Sequence, residues 1–370
     1  MRIAFVSTIL SYPWGGADFL WTRAAEAAAD GGNSLLLSLS PDTAAHPRIV
    51  ALQSRGARLH LRTSRLRPPP LARRLWARLR PPVDPLLFAL RAFAPERVVF
   101  SFGGTYDVLM HPEVFRWLEQ ARVPYRIIAN WQKELPDLAA ADLGSVKTAF
   151  AAADSLNFVS SRNLATTRRH LLMPLENARV LHNPLRGSPA DFTPFPSDAA
   201  PRLATVGRLE PVKGLDLLLH AAADAFGTGQ NWSLHVFGRG PQEAALRTIA
   251  SHLGIGRQVV FRGHVDTPLA ELWRDRHLLV SPSVDEGVPM TIPEAMFCGR
   301  PVLATCVGGA EDWIQDDETG FICPAPTIPL LAATLKRAVS ARDRWPSIGA
   351  AAHTAATARY RPDDFMKLIG

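Results

Sequence analysis

The chain has 370 residues, of which 47% are apolar and 20% charged, with a net charge of +7. That length and composition suit a globular protein of about two domains. They exclude a membrane-spanning helix, because no apolar run approaches roughly 18 residues. Three cysteines without ligand spacing, Cys298, Cys306 and Cys323, exclude a disulfide framework or zinc site and make a reducing cytoplasm the default setting.

The opening "RIAFVST" is a short apolar run without a small-residue cleavage site, so it predicts a first buried strand rather than a signal peptide. A loop, "LSYPWGGAD", leads into the helical composition of "FLWTRAAEAAADGG", which stops at glycines. "NSLLLSLS" is the next strand. The β-loop-α-β order predicts a parallel, doubly wound sheet. "ERVVFSF", "PYRIIAN", the helix and strand of "SVKTAFAAADSLNFVSS", and "ARVLHNP" continue it.

Residues 183–201, "NPLRGSPADFTPFPSDAAP", hold five prolines and no periodicity, which predicts a linker. The α/β alternation then restarts with the strand "RLATVGRL", the helix "GLDLLLHAAADAF" and the strand "WSLHVFG". It continues through "GPQEAALRTIASHLG", "QVVFRG", "PLAELWRDR", "HLLVSPS" and "RPVLAT". Two consecutive Rossmann-like units are therefore expected, with ligands beyond the carboxyl ends of their strands and a cleft where the two sheets face each other.

Charge is unevenly spread. Residues 55–80 carry nine arginines and no acid, which suits an anionic partner. Within them Leu71, Leu75 and Leu79 form one apolar stripe, with Trp76 nearby. A membrane-surface helix has this pattern, and so does a helix packed on a sheet with a solvated arginine face. Nucleic acid is not expected, because no aromatic-interleaved basic motif is present.

Three loops could carry chemistry. In "GRLEPVKGLD", Gly207 permits a tight turn and Arg208 and Lys213 bracket a loop ahead of a helix, which suits a diphosphate or, alternatively, a solvated surface turn. "SPSVDEGVPMTIPEAMFCGRPVLAT" places Glu286 and Glu294 around Gly287, Val288, Pro289, Met290 and Thr291. Backbone N–H groups of 288–291 would face an anion, and carboxylates accept well from vicinal sugar hydroxyls. Read alone, Thr291 and Glu294 instead fit a capping box. In "YPWGGADF", Gly15 and Gly16 allow close backbone approach to a ligand, though no dinucleotide fingerprint is present.

Together "GRLEPVKG", "FRGHV" and the 281–324 stretch resemble glycosyltransferase family 4, glycosyl transferase group 1, the retaining nucleotide-sugar enzymes of GT-B fold. The match is strong over about 202–325 and loose over 40–180. The resemblance implies an E-x7-E pair, with Glu286 on donor-sugar hydroxyls and Glu294 on the ribose. Arg208 and Lys213 would hold the diphosphate, and Arg208, Lys213 and Glu286 would be the catalytic set. The backbone at Val288–Thr291 would share the charge, Gly15 and Gly16 would close on the diphosphate, and "RGHV", with Gly263, His264 and Val265, would meet the base. It implies no metal and no cofactor beyond a UDP-, GDP- or ADP-linked sugar.

One departure concerns the sugar side. Relatives carry a histidine after a middle strand of the N-terminal half, where this chain has Trp131 and Gln132. Either Gln132, Tyr106 or Asp107 contacts the sugar instead, or the loop geometry differs; the nearest histidine is His111. The expected domains are 1–185 (acceptor, with a helix about 350–370 crossing back), a linker 186–201, and 202–349 (donor). The expected function is retaining sugar transfer to an acceptor hydroxyl of a glycan or glycolipid, in the cytoplasm or at the inner membrane face. The alternatives are a small-molecule or protein acceptor, or a nucleotide-sugar-binding protein with impaired catalysis.

Overall fold

The computed structural model describes residues 1–9, 14–62, 84–135, 138–197, 200–227 and 231–370. The expected amphipathic helix at 71–80 lies outside them. The chain divides into two units, Met1–Pro184 with Pro362–Gly370, and Leu185–Arg361.

The first unit runs β1 (Arg2–Ser7), α1 (Gly16–Asp30), β2 (Ser34–Leu39), α2 (Pro41–Ala44), α3 (Pro47–Ser54), β3 (Arg58–Leu61), α4 (Pro85–Phe93) and β4 (Arg97–Phe102). It continues α5 (Pro112–Ala121), β5 (Tyr125–Ala129), α6 (Leu143–Ala152), β6 (Ser155–Phe158), α7 (Ser161–Leu171) and β7 (Ala178–Val180). The sheet order is β3-β2-β1-β4-β5-β6-β7, all parallel. Helices on both faces bury the strands on both sides, which is why β1 reads as continuous apolar residues from Ile3 to Val6, each at most 1% exposed. β3 was not expected: its sequence, RLHL, lies in the arginine-rich stretch, and as the outermost strand it needs little apolar surface.

The C-terminal tail belongs to this unit. A short 3-10 helix, Asp364–Leu368, packs on α1 with Leu368 fully buried. Arginines from three strands hold its carbonyls: Arg97 Nη1 donates to Ile369 O at 2.5 Å, Arg126 Nη1 to Lys367 O at 2.7 Å and Arg179 Nη2 to Lys367 O at 2.8 Å.

The second unit runs β8 (Arg202–Val206), α8 (Leu215–Phe226), β9 (Ser233–Phe237), α9 (Glu243–His252), β10 (Val259–Gly263), α10 (Leu269–Trp273) and β11 (Leu278–Ser281). It ends with α11 (Thr291–Phe297), β12 (Val302–Thr305), β13 (Gly320–Cys323), α12 (Ile328–Ser340) and α13 (Trp345–Arg359). Its parallel order is β10-β9-β8-β11-β12-β13. Residues 186–197 of the expected linker 186–201 are packed onto this unit. The reason is Arg300, fully buried, whose guanidinium donates to Thr193 O at 3.1 Å, Thr193 Oγ1 at 2.6 Å, Pro194 O at 3.0 Å and Trp273 O at 3.0 Å. Carbonyl acceptors replace the water this cation lost, and burial draws its pKa down to about 10. Of the segment expected to cross back at about 350–370, α13 stays with this unit and Pro362–Gly370 joins the first.

In each sheet the strand order reverses once, between β1 and β4 and between β8 and β11. The carboxyl ends of the strands at such a reversal, and the crevice there, are the usual ligand position in open sheets of this kind.

Candidate active site

The second crevice collects most of the expected residues. After β8, Gly207 starts the turn: its N–H donates to Phe237 O at 2.9 Å. Lys213 ends a 3-10 turn, Pro211–Lys213, and Gly214 follows at φ +61°. A Cβ at Gly214 would lie 2.1 Å from Pro282 O, so only glycine lets the loop after β8 press against the loop after β11. Val284 N–H donates to Val212 O at 2.8 Å and ties the two loops.

Lys213 Nζ and Glu286 Oε1 form an ion pair across the crevice. Ser283 Oγ donates to the same oxygen at 2.9 Å. Both charged side chains are largely sheltered, 24% and 13% exposed. Gly287 O accepts from Gly309 N at 3.0 Å, and Gly308, at φ +52°, sits where a Cβ would be 2.3 Å from Glu286 O. The backbone that carries the Glu286 side chain is thus held by a close backbone contact. Arg208, 47% exposed, pairs with Glu210 at 3.0 Å.

Glu294 lies in α11 beyond this loop. The capping-box alternative is not what forms: the N-cap is Met290 without a side-chain cap bond, which makes Thr291 the first helical residue. Burial pushes the Glu294 carboxyl up to about 7, opposed by the Arg186 cation and by an N–H bond from the Arg186 backbone. α11 has only seven residues, so the dipole expected behind 288–291 is small. Val288 is partly exposed and Pro289 is buried. Gly263, at φ +70°, ends β10 and its carbonyl accepts from Gly238 N at 2.8 Å. His264 beside it is exposed and Val265 packs on the core.

The remaining expected residues are in the first unit. Gly15 is the N-cap of α1 and donates to Asp18 Oδ2 at 3.0 Å. Its backbone is extended and a Cβ there would meet nothing within 4 Å, so the fold itself does not require glycine. Gly16 begins the helix. Asp107 accepts from Thr8 Oγ1 at 2.5 Å and from Gly104 N at 3.1 Å, which binds the loops after β1 and β4 together at the first crevice. Burial raises its pKa.

Tyr106 and Gln132 meet a residue that sequence reasoning missed, His170 of α7. Gln132 Nε2 donates to His170 Nδ1 at 2.7 Å and to Tyr106 Oη at 3.0 Å, and Tyr106 Oη lies 3.0 Å from the same Nδ1. His170 Nε2 faces Glu134 O at 2.9 Å, so its proton sits there and Nδ1 accepts. Burial lifts the Tyr106 phenol to about 12. Trp131 O accepts from Thr105 Oγ1 at 2.7 Å. His111 is engaged elsewhere: Nδ1 donates to Asp84 Oδ2 at 2.6 Å and Nε2 accepts from Arg62 Nη1 at 3.2 Å. Ser283, also missed, was findable from its S-x-x-E spacing to Glu286; His170 in "TRRH" offered no such signal.

Residues 192–353 match the family described as glycosyl transferases group 1. An exopolysaccharide phosphotransferase of Streptomyces coelicolor is 30% identical over 48% of this chain and 19% of its own. A D-inositol 3-phosphate glycosyltransferase of Rhodococcus opacus is 33% identical over 40% of this chain and 35% of its own. A GDP-mannose-dependent phosphatidylinositol monomannoside mannosyltransferase of Mycobacterium tuberculosis is 29% identical over 44% of each. The chain thus spans less than half the length of these relatives. Among solved structures, Anabaena HepE in complex with UDP has a TM-score of 0.74 at 19% identity, covering 100% of this chain and 98% of that one. The lipopolysaccharide outer core galactosyltransferase WaaB has a TM-score of 0.68 at 19% identity, covering 100% and 98%. The chain has the GT-B fold, and its residues 192–353 match the family of glycosyl transferases group 1.

Proposed function

We propose that this chain is a retaining glycosyltransferase that moves a sugar from a nucleotide-diphosphate donor to an acceptor hydroxyl. The observation that carries the proposal is the Lys213–Glu286 pair at the point where the second sheet reverses. Without donor the cation and the carboxylate neutralise each other. A diphosphate is a stronger partner for Lys213 and for the exposed Arg208, and its arrival releases Glu286 to accept from sugar hydroxyls. As the anomeric carbon becomes oxocarbenium-like, negative charge grows on the departing diphosphate. Lys213 and Arg208, with the backbone at 288–291, stabilise that charge from fixed positions, the usual main lever in such transfers. Retention places the acceptor on the face from which the diphosphate leaves.

Glu294 reads the ribose. A carboxyl with a pKa of about 7 both donates to and accepts from a hydroxyl at neutral pH. Gly263, His264 and Val265 bound the base, and Gly15 and Gly16 approach the diphosphate. Trp131, with the Tyr106–Gln132–His170 cluster, belongs to the sugar or acceptor side; Asp107, occupied by Thr8 and Gly104, positions its loop instead. The nucleotide is UDP, GDP or ADP. The neighbours solved with UDP and UDP-glucose and the relative named for GDP-mannose favour the first two. The acceptor is a glycan or glycolipid, in line with relatives named for exopolysaccharide and phosphatidylinositol substrates, and residues 55–80 supply contact with an anionic membrane face. Among the described residues no helix is long and apolar enough to cross a membrane.

The test is release of nucleoside diphosphate from each nucleotide sugar, with the anomer of the product read by NMR. Turnover with a retained anomer, lost in Glu286→Gln, is the expected result. Tight donor binding without release, with every acceptor supplied, would replace this proposal with that of a binding protein.

A further inference from the structure

A second polar cluster lies in the second unit and runs from Arg202 and Arg276, at the amino ends of β8 and β11, to Arg262 near the carboxyl end of β10, beside Gly263. Its centre is His235, the third residue of β9, 7% exposed and in register with Ala204 and Val260. Arg262 Nε donates to His235 Nδ1 at 3.3 Å, and Arg276 Nη2 lies 3.4 Å from the same nitrogen. Ser233 Oγ lies 3.2 Å from Nε2. Two guanidiniums on Nδ1 fix it as the bare lone pair, which puts the ring proton on Nε2, facing the serine. Arg202, the first residue of β8, adds a third positive field at this imidazole.

The opposing charge is thin. Asp275 Oδ2, 3.2 Å from Arg276 Nη1, belongs to a side chain 55% exposed, whereas that of Arg276 is only 13% exposed. Arg276 Nε is buried with no hydrogen-bond partner among the described residues. One neutral lone pair serving two cations through long bonds, with a buried guanidinium donor unmet, is poor compensation for desolvated charge. Burial and the three arginines hold His235 down at about 4, so the ring stays neutral and cannot relieve the site by charging.

We infer that Arg262, Arg276 and Arg202 form a binding site for a phosphate-type oxyanion, distinct from the Lys213–Glu286 crevice. The oxyanion takes the place of the imidazole as the shared acceptor of the guanidiniums. Their planar forks match tetrahedral phosphate oxygens better than one ring nitrogen does.

The test uses the full chain carrying Lys213→Ala, which weakens anion binding at the crevice. Inorganic phosphate and pyrophosphate are titrated against chloride at constant ionic strength, while the His235 ring resonances and the melting temperature are followed. A bound oxyanion offsets the arginine fields, so the His235 pKa rises and the protein melts higher than in chloride. Arg262→Gln, at an exposed position, should weaken the effect by about tenfold without disturbing the fold; Arg276→Gln, checked by circular dichroism, should do the same. In a parallel arm, vesicles carrying phosphatidate are compared with phosphatidylcholine alone. A response to the free anions assigns a soluble phosphate ligand, and a response to phosphatidate vesicles only assigns a lipid headgroup. No difference from chloride, together with no vesicle binding, overturns the inference. So does a response that survives in both arginine variants.

Discussion

Lys213 and Glu286, 73 residues apart, form an ion pair because β8 and β11 are neighbours in the sheet. The loops leaving those strands carry one residue each. The pairing predicts opposite effects of the two substitutions on free diphosphate. Lys213→Ala removes a cation and should weaken nucleoside diphosphate binding by about tenfold to a hundredfold. Glu286→Gln keeps a partner for Ser283 but releases the lysine, so the free diphosphate should bind as tightly or more tightly while sugar transfer is lost. Calorimetry and a turnover assay on both variants check this; equal weakening by both would mean that Glu286 holds the diphosphate loop rather than the sugar.

Glycines at this site have separable roles. Gly214→Ala places a Cβ 2.1 Å from Pro282 O at φ +61°, and Gly308→Ala one 2.3 Å from Glu286 O. Each should cost about 1–3 kcal/mol in denaturant unfolding. Gly15→Ala meets no atom within 4 Å and should leave stability within about 0.5 kcal/mol of the parent. A fall in donor affinity in that variant alone would show that the glycine serves the ligand.

Glu294 makes stability depend on pH in a stated direction. Its folded pKa of about 7 lies above the ordinary 4.5, so the native state binds the proton more tightly than the unfolded chain. The contribution is fully present below about pH 4.5 and disappears as pH rises through 7. Relative to Glu294→Gln, the parent should lose stability over that window. The loss is capped near about 3 kcal/mol and is smaller because the side chain is partly exposed. Urea unfolding of both proteins from pH 4 to 8 measures it; a pH-independent difference would mean that Glu294 titrates normally.

The tail makes a mechanical prediction. Deleting Pro362–Gly370 uncovers the site of Leu368 and leaves the guanidiniums of Arg97, Arg126 and Arg179 without its carbonyl acceptors. The first unit should melt several degrees lower, by about 2–4 kcal/mol of lost burial and hydrogen bonding. An unchanged melting profile would mean that the tail rests on this unit without stabilising it.

Sequence patterns made the two sheets legible, since apolar runs such as "RIAFVS" and "HLLVS" need burial on both faces. Strand order was not legible, and the crevice follows from it: the resemblance named Lys213 and Glu286 separately, and only the β8–β11 adjacency joins them. Arg300 read as an ordinary basic residue because a cation buried by carbonyls leaves no local pattern, and so the proline-rich stretch it anchors looked like a linker. The capping box failed by one position, Thr291 being the first residue inside the helix. His170 reaches Tyr106 and Gln132 through tertiary packing alone.

The most direct measurement is calorimetric titration of the parent and of Lys213→Ala with UDP, GDP, ADP and CMP. Selective binding of one nucleoside diphosphate, weakened at least about tenfold by the substitution, is the predicted result. Equal affinity in both proteins, or no binding of any nucleotide or intact nucleotide sugar, would contradict a donor site at the β8–β11 crevice.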